Sequence, residues 1–504
     1  MNRTAKIIYH QPTMKRTIAT ILMSLAVAAT SVGQTMTFVI RNATIIDGSG
    51  GKPYMADVRV KGDKIVAIGK LKSKKNEESI DATGLVLSPG FIDIHNHSES
   101  GLRREGTAAN QVSQGITTVI VGPDGGSPDS IAEYFMSLDG KVAVNVGAFM
   151  GHGTLRVLVM KSNLKRIATE SEISEMGKLL DVAMKAGAFG LSSGLEYDAG
   201  FSATTEELIE LSRIAAKHGG VYMTHMRDEE EGVMNAISEA IKIGREASIP
   251  VQISHIKMGN KSVWNRSTEA IAIIDDAKLS GQDITADAYP YTAWASTITV
   301  LVPNRKHDDP IEVQKGIDAL GGPDKVLITS CRAFPEYEGK TLEQAAALTG
   351  ATPVSTYIEI VKKGGAGVIG YGMNEADVKE FYQTPWVMVS SDGGIGSRHP
   401  RGTGTFTRVL GRFVRENKWL TIETAIRKMS AMPAARLGLK DRGLIKKGMK
   451  ADLVLFDPNT VLDKATFVEP QQFSEGVRTV FVNGVKVWDG GKVTGILPGS
   501  LLKN

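Results

Sequence analysis

Gly90-Phe91-Ile92-Asp93-Ile94-His95-Asn96-His97 is a short apolar stretch that ends in two histidines. Its apolar residues predict a buried strand. Residues two apart on a strand point to the same side, so we expect His95 and His97 to face one site. A second apolar stretch, Val387-Met388-Val389-Ser390-Ser391-Asp392, ends in an aspartate far along the chain. Because imidazoles and carboxylates bind divalent metal ions, the two stretches predict a metal site at which distant strand ends meet.

The region between these stretches alternates apolar segments with helical patterns. Apolar segments begin near residues 90, 116, 142, 188, 221, 250, 284 and 386. The run Thr204-Thr205-Glu206-Glu207 is a capping box that starts one helix, and Gly219 is placed to end it. Repeated strand–helix units favour a parallel sheet, and eight of them predict an α/β fold, a (β/α)₈ TIM-like barrel, over residues 89–435.

Two further parts of the chain depart from this alternation. The segment before the last strand, about residues 295–383, is longer than a crossover helix and predicts an inserted subdomain. Within it, Val326–Ser330 could compete as a barrel strand. Short β-branched runs fill residues 34–88 and return in residues 436–504, where Asn483-Gly484 is a hairpin turn. We expect these two chain ends to form one small β-sandwich that flanks the barrel.

Residues 1–33 have the pattern of a signal peptide, with basic Lys15 and Arg16, an apolar run and small residues before Gln34. The apolar run is too short for a comfortable membrane span. We therefore expect export to the periplasm or the extracellular space without a stable membrane anchor, an uncleaved anchor being the alternative. This segment has four basic residues and no acidic one, so the rest of the chain has 59 minus 4, or 55, basic residues against 55 acidic ones. The net charge of +4 thus gives no reason to expect nucleic-acid binding.

Polar residues that can bind a metal follow most of the predicted barrel strands. Barrel active sites lie at the carboxyl ends of the strands, and five of the nine histidines fall at such positions. The polar residues at these ends include His95, His97, Asp124, His152, His225, His255, Asp287 and Asp392. The single cysteine, Cys331, lies in the predicted insertion, so neither an internal disulfide nor a cysteine-based zinc finger is possible.

The same segments resemble the D-aminoacylase (N-acyl-D-amino-acid deacylase) family of the amidohydrolase superfamily. The resemblance covers almost everything after the leader, and it rests on many motifs together. One of them is Gly151-His152-Gly153-Thr154-Leu155-Arg156, and another is His399-Pro400-Arg401-Gly402. The other matching stretches are residues 90–97, 115–119, 190–195, 224–227, 254–257, 287–291 and 448–454. The insertion before the last strand also fits this family.

The resemblance implies an enzyme that acts on small molecules, a metal-dependent hydrolase that deacylates N-acyl-D-amino acids or related dipeptides with a D-residue. It implies one tightly held divalent cation and a second, often weakly filled, position. The implied ligands are Asp124, His225 and His255 for the first position and His95, His97 and Asp392 for the second. The expected cation is Zn²⁺. The family usually has a cysteine where this chain has Asp124, and a carboxylate is harder than a thiolate, so Mn²⁺ and Fe²⁺ are alternatives.

The resemblance also implies roles in the reaction. The cation polarises the amide carbonyl and lowers the pKa of bound water toward ~7, while Asp392 takes the proton of the water and passes it to the leaving amine. Lys257 is expected to bind the substrate carboxylate, with Tyr197 and Arg398 as further substrate-binding candidates. His152 is expected to support the site from outside the ligand set, and Cys331 is expected to be inert.

Two other functions are compatible with such a barrel. A cyclic amidase that resembles dihydroorotase or hydantoinase would use a carbamylated lysine on the fourth strand, and residues 189–196 contain no lysine. A scaffold protein without metals would have no need of the ligand positions, all of which carry competent side chains. The sequence thus favours the linear-amide hydrolase, and it predicts no particular acyl group, side chain or oligomeric state.

Overall fold

The computed structural model describes residues 37–75 and 77–504, so the predicted signal peptide, residues 1–33, lies outside the described residues. The strands in the described part are β1 (Thr37–Ile45), β2 (Tyr54–Lys61), β3 (Lys64–Gly69), β4 (Glu78–Asp81), β5 (Val86–Pro89), β6 (Phe91–Asp93), β7 (Ile116–Val121), β8 (Asn145–Ala148), β9 (Met150–Gly151), β10 (Gly190–Gly194), β11 (Val221–His225), β12 (Val251–Ile253), β13 (Ile284–Ala288), β14 (Trp294–Thr297), β15 (Val326–Ser330), β16 (Gly367–Gly370), β17 (Val387–Val389), β18 (Leu453–Phe456), β19 (Val477–Val482), β20 (Val485–Asp489) and β21 (Lys492–Val493). The α-helices there are α1 (Glu99–Arg104), α2 (Ala109–Val112), α3 (Ile131–Leu138), α4 (His152–Met160), α5 (Glu170–Ala186), α6 (Thr205–Lys217), α7 (Val233–Ala247), α8 (Ser267–Leu279), α9 (Pro310–Leu320), α10 (Leu342–Thr349), α11 (Pro353–Lys362), α12 (Glu375–Gln383), α13 (Arg401–Arg408), α14 (Ile422–Met429) and α15 (Ala431–Arg436).

The central unit is the predicted parallel barrel. Strands β6, β7 and β8 pair in one group, and β9 to β13 pair in turn with β17 at the far edge. The third barrel strand is split, since β8 pairs with β7 and β9 pairs with β10. The barrel closes where the chain beyond β17 meets the chain beyond β6: the backbone N–H of His97 donates to the carbonyl of Gly393 at 2.7 Å. Strands such as β7 are β-branched and fully buried, as expected for a sheet that is covered on both faces.

Helix α6 forms only one of the two hydrogen bonds that its capping-box sequence predicts. The Thr204 hydroxyl accepts a hydrogen bond from the backbone N–H of Glu207, as the capping box predicts. The Glu207 carboxylate does not complete the box, because it turns inward and binds the buried Arg156 guanidinium at 2.6 Å. Gly219 follows the helix with φ +71°, the left-handed conformation predicted for its end.

The predicted insertion is a small subdomain with its own sheet. Strands β14 and β15 both pair antiparallel with β16, and α9, α10 and α11 lie in the same segment. Val326–Ser330 is therefore an insertion strand and not a barrel strand. Helix α12, inside the predicted limits of about 295–383, packs against β17, β13 and α8 of the barrel. The insertion sheet and α9 to α11 thus lie within the predicted segment, and α12 at its end contacts the barrel.

The two chain ends join in one sheet, as predicted. Strands β1 to β5 and β18 to β21 form a nine-stranded sheet within the described residues, joined where β18 runs antiparallel to β5. Phe38 of β1 stacks on Phe481 of β19 with ring centroids 4.9 Å apart, although β5 and β18 separate those strands in the sheet. The sheet thus folds over on itself to enclose an apolar core. In the described part of the chain, no helix has the length and apolar character needed to cross a membrane.

Candidate metal centre and its cavity

The predicted ligands from the first, second and sixth barrel strands meet around one carboxylate. Asp124 Oδ2 lies 3.1 Å from His95 Nε2, 3.3 Å from His97 Nε2 and 3.4 Å from His255 Nε2. Strand β6 ends at Asp93, so both early histidines lie just past the strand and not within it. Their Nε2 atoms nevertheless face the same oxygen, which is the geometry that a shared ligand requires.

The two remaining predicted ligands complete the group from opposite sides. His225 Nδ1 lies 2.8 Å from His255 Nε2, and Asp392 Oδ1 lies 3.2 Å from His97 Nε2. The ligand atoms form two sets, each within 4.8 Å: His95, His97, Asp124 and Asp392 in one, and Asp124, His225 and His255 in the other. The structure therefore brings all six side chains together, with Asp124 common to both sets.

Three of these residues have strained backbones. Asp124, His255 and Asp392 have φ angles of +54°, +33° and +47°. The left-handed region disfavours L-residues by about 1–2 kcal/mol. Such conformations persist where the surrounding structure imposes them, and they cluster at functional sites. The backbone turns immediately after strands β7, β12 and β17 thus direct these side chains into the barrel mouth.

A divalent cation fits this donor set. Asp124 is buried, and its Oδ1 has no hydrogen-bond partner among the described residues. An unpaired buried carboxylate oxygen is costly, and a cation would supply the missing partner. Imidazole nitrogens and carboxylate oxygens around a shared carboxylate suit Zn²⁺, Mn²⁺ or Fe²⁺. The set of His95, His97, Asp124 and Asp392 and the set of Asp124, His225 and His255 would each hold one such ion.

The second ring nitrogen of each buried histidine in the group lies close to a carboxylate. The pairs are His95 with Asp287 at 3.3 Å, His225 with Glu196 at 2.8 Å and His255 with Glu229 at 3.0 Å. A carboxylate in this position fixes the tautomer and orientation of a metal-binding imidazole. Glu196 and Glu229 were not among the predicted site residues. The signal for Glu229 was its place four residues after His225, close to the end of the same strand.

Lys257 lies in the cavity as predicted, but it is already paired. Its Nζ lies 2.5 Å from Glu229 Oε2 and 2.7 Å from His255 Nδ1. Burial disfavours the ammonium, yet Glu229 and more distant acidic groups outweigh burial and raise the pKa of Lys257 above its usual value. The ammonium therefore stays charged. It contacts Glu229, the carboxylate beside the second ring nitrogen of His255, and it lines the cavity.

Asp392 is held by an arginine that the sequence reading did not select. Arg401 Nη1 lies 2.7 Å from Asp392 Oδ2, and the guanidinium stacks 4.7 Å from the Tyr289 ring centre. Burial opposes ionisation, but Arg401 and two histidines outweigh it and hold the pKa of Asp392 well below its usual range. The predicted Arg398 is instead an exposed residue that pairs with Glu338 of the insertion at 3.0 Å. The structure does not bring Arg398 to the cavity. Arg401, from the motif His399-Pro400-Arg401-Gly402, lines the cavity instead.

The other singled-out residues have distinct places. The Tyr197 hydroxyl lies 3.2 Å from His225 Nδ1, and Tyr197 lines the cavity. His152 is outside the ligand set: its Nε2 lies 2.8 Å from Glu207, the carboxylate that also binds Arg156. Cys331 is buried in the insertion, and burial raises the pKa of its thiol.

The ligand group opens into a cavity of about 660 Å³. One wall comes from the segments after the first two strands and includes Arg103, Pro128 and Tyr134. The other wall contains β14 and the acidic segment after β11, with Trp294 and Glu230 among its residues. A drug-sized or metabolite-sized molecule fits such a volume. A substrate could therefore extend to both sides of the ligand group.

Known proteins match the chain over nearly its whole length. The sequence profile described as the amidohydrolase family matches residues 313–488. A D-aminoacylase of Alcaligenes xylosoxydans xylosoxydans is 38% identical over 498 residues, which cover 94% of this chain and 98% of that protein. A solved D-aminoacylase, described for its binuclear metal centre with one-metal activation and second-metal attenuation, has a TM-score of 0.85 and 37% identity and covers 93% of this chain and 99% of that one. A solved N-acyl-D-glutamate deacylase from Bordetella bronchiseptica, complexed with zinc and a phosphonate mimic of the tetrahedral intermediate, also has a TM-score of 0.85, with 34% identity, and covers 93% and 100% of the two chains.

Cyclic amidases are more distant. A dihydroorotase of Thermoanaerobacter sp. (strain X514) is 28% identical over 459 residues, 86% of this chain and 91% of that protein. A solved D-hydantoinase has 17% identity and a TM-score of 0.58, which shows a common fold alone. The fourth barrel strand, β10, has the sequence Gly-Leu-Ser-Ser-Gly and provides no lysine.

Proposed function

Because the chain belongs to the D-aminoacylase family of amidohydrolases, we propose that it is a metal-dependent hydrolase that removes the acyl group from N-acyl-D-amino acids. The observation that carries this proposal is the group of six ligand side chains around Asp124, placed between two cavity walls and beside two buried cations. The ligand group suits amide hydrolysis, and the cations suit a substrate that carries a free carboxylate.

A divalent cation held by this group supplies a Lewis acid that polarises the amide carbonyl and makes water nucleophilic at neutral pH. Asp392 is the base. Its carboxylate is kept ionised beside Arg401, and it faces the ligand histidines, where it can accept a proton and then deliver it to the departing amine. Tyr197, with its hydroxyl beside His225, can donate a hydrogen bond to the carbonyl oxygen. Its raised pKa, caused by burial and by the neighbouring acids, keeps the hydroxyl protonated for this purpose.

The substrate carboxylate is assigned to Arg401, Tyr289 and Lys257. These three side chains line the cavity together, and Lys257 Nζ lies 5.9 Å from the centre of the Tyr289 ring. Arg401 keeps donor groups free beyond its contact with Asp392, because its Nε is buried with no partner in the described part of the chain. A bound carboxylate would satisfy such donors and fix the amide against the ligand group.

Zn²⁺ is the proposed cation, since a relative with this fold contains zinc and the donor atoms suit it. Asp124 in place of the family's usual cysteine makes the shared ligand harder, which favours Mn²⁺ or Fe²⁺ more than a thiolate would. Metal analysis after purification, followed by reconstitution with each ion, tests this assignment directly.

The substrate assignment is tested with metal-loaded protein and paired amides. We expect N-acetyl-D-leucine to be hydrolysed, and N-acetyl-L-leucine and the methyl ester of the D-substrate to react at least tenfold more slowly by kcat/KM. Dihydroorotate and hydantoin serve as controls for the cyclic-amidase alternative. Faster hydrolysis of a cyclic amide than of every N-acyl-D-amino acid would contradict the proposal.

Export is a separate proposal that the signal-peptide pattern of residues 1–33 supports. We expect the protein recovered from the cell envelope or the medium to begin near Gln34. Mass spectrometry identifies the first residue of the recovered protein. An intact leader on a soluble cytoplasmic protein would contradict export.

A further inference from the structure

Two carboxylates that line the cavity, Glu196 after β10 and Glu230 in the segment after β11, each have one oxygen without a hydrogen-bond partner among the described residues. Glu196 is 6% exposed and lines the cavity. Its Oε2 faces His225, while its Oε1 is buried and has no hydrogen-bond partner among the described residues. Glu230 lines the same cavity, and its Oε2 is likewise buried and unpartnered within residues 37–75 and 77–504. Buried carboxylates are normally paired with donors or cations, so these two oxygens point to a ligand that supplies positive charge.

Two nearby cations contact other groups. Lys257 is paired with Glu229 at 2.5 Å. Arg305 Nη1 lies 3.1 Å from Asp198, its Nη2 contacts the backbone carbonyl of Glu196 and not the carboxylate, and its Nε is buried with no partner among the described residues. Burial and the neighbouring acids Glu196, Asp228 and Glu229 raise the pKa of Glu230 well above its usual value, and they outweigh the opposite effect of Lys257.

A second cavity extends this acidic character outward. It has a volume of about 260 Å³ and shares Glu230, Trp294 and Val300 with the first cavity. Its remaining lining includes the acidic residues Asp228, Glu231 and Glu312, and the single lysine there, Lys315, is paired with Glu312 at 2.9 Å. The shared residues therefore combine a carboxylate with two apolar side chains at the point where the cavities meet. A long side chain with an apolar stem and a positive end matches this combination.

Arg401 is one of the residues assigned to the substrate carboxylate. Its distance from the wall that contains β14 indicates which part of a substrate contacts that wall. Arg401 Nη2 lies 3.5 Å from the carbonyl oxygen of Ala295, the residue after Trp294. The Trp294 indole is in turn fixed by a hydrogen bond of 3.1 Å from its Nε1 to the carbonyl oxygen of Gly259. The α-carboxylate and the side chain of an amino acid leave the same carbon. A wall next to the residues assigned to the substrate carboxylate therefore faces the amino-acid side chain, and we assign the acyl group to the part of the cavity lined by Arg103 and Tyr134.

We propose that this enzyme selects N-acyl-D-amino acids with a cationic side chain, such as D-lysine, D-ornithine or D-arginine, and that Glu230 is the specificity-determining residue that binds the cation. The stem of the side chain lies along Trp294 and Val300, and Glu196 adds negative charge next to Glu230. An acidic D-side chain cannot form this ion pair with Glu230 and is disfavoured. This inference rests on the proposed deacylase activity and names its substrate class.

The test compares substrates of equal length with and without the charge. Metal-loaded wild type is assayed for kcat/KM on N-acetyl-D-lysine, on N-acetyl-D-norleucine and on D-lysine acetylated at both nitrogens. We expect the cationic substrate to be preferred by about tenfold to a hundredfold, the range of a charged hydrogen bond. Glu230→Gln should remove most of this preference, so that the ratio of kcat/KM for N-acetyl-D-lysine to kcat/KM for N-acetyl-D-norleucine falls toward one. Glu343→Gln removes the same charge at an exposed residue that lines neither cavity and should leave the preference intact.

Several results would overturn the proposal. Equal or faster hydrolysis of N-acetyl-D-norleucine by wild type removes the cationic preference, while the deacylase activity stands. A preference that survives Glu230→Gln refutes the role of that residue. A Glu230→Gln effect confined to L-alanyl-D-norleucine, whose ammonium lies on the acyl side, would place the acid opposite the acyl group. Fewer bound metal ions per chain in Glu230→Gln would show that the carboxylate holds a metal. No hydrolysis of any of these D-substrates refutes both this inference and the proposed function.

Discussion

Replacing Lys257 with methionine tests whether its ammonium serves the protein, the substrate or both. Methionine keeps the apolar stem and removes the charge. Lys257 is 3% exposed and contacts the buried Glu229 carboxylate at 2.5 Å. Removal of one partner leaves the other charge buried and unpaired, which costs roughly 3–5 kcal/mol. We expect Lys257→Met to lose free energy of unfolding on this scale, measured by denaturant titration at a fixed metal concentration.

The double variant with Glu229→Gln separates the two roles of Lys257. It removes both charges, so we expect it to regain at least half of the lost stability, a coupling of about 2 kcal/mol between the two sites. If Lys257 also binds the substrate carboxylate, KM for N-acetyl-D-amino acids should stay about tenfold to a hundredfold higher in the double variant, the equivalent of 1.5–3 kcal/mol. A single variant as stable as wild type, or a double variant as unstable as the single one, would refute the reasoning about the buried pair.

Three further variants test the ligand group and the fold around it. Asp392→Asn should keep the fold and most of the metal but reduce kcat by about 10²–10⁴-fold, and near-normal turnover would exclude Asp392 as the base. Asp124→Ala should lower the metal content of both positions by elemental analysis, whereas loss of only one ion would mean that this carboxylate is not shared. Glu207→Gln should flatten the acid dependence of stability. Since Arg156 and His152 outweigh burial and lower the folded pKa of Glu207, its stabilising effect is present above its ordinary pKa and disappears as pH falls through the folded value. Denaturant titrations from pH 6 downward check this, and parallel wild-type and variant curves would contradict it.

The order of the barrel strands could be predicted from the sequence because each strand has a recognisable local pattern. The strands are short apolar runs, and their carboxyl ends carry the polar residues, so strand positions and candidate ligands could be read together. The packing of α12 could not be predicted in this way. Asn374 marks the start of this helix as an N-cap, but its contacts with β17 and α8 of the barrel are a property of the tertiary structure.

The misplaced arginine has a similar explanation. Arg398 and Arg401 are three residues apart after the same strand, and the sequence does not state where the turn ends and α13 begins. In the structure Arg401 is the first residue of that helix and points to Asp392, while Arg398 belongs to the preceding loop and points to Glu338. Which of the two arginines contacts Asp392 thus depends on the residue at which α13 begins. A sequence predicts the first residue of a helix only approximately.

The carboxylates that contact the second ring nitrogens of the ligand histidines were the hardest part of the site to predict from the sequence. They determine which ring nitrogen each histidine turns toward the ligand group. An imidazole can offer either ring nitrogen, and His225 offers Nδ1 to the ligand group while His95 and His255 offer Nε2. The choice follows from the carboxylate that the other ring nitrogen of each histidine faces, and in all three pairs that carboxylate comes from a different barrel strand. Sequence patterns can mark a strand end as polar, but this pairing across strands exists only once the barrel has closed. The ligand types can therefore be predicted from the sequence, whereas the nitrogen that each histidine presents is a property of the tertiary structure.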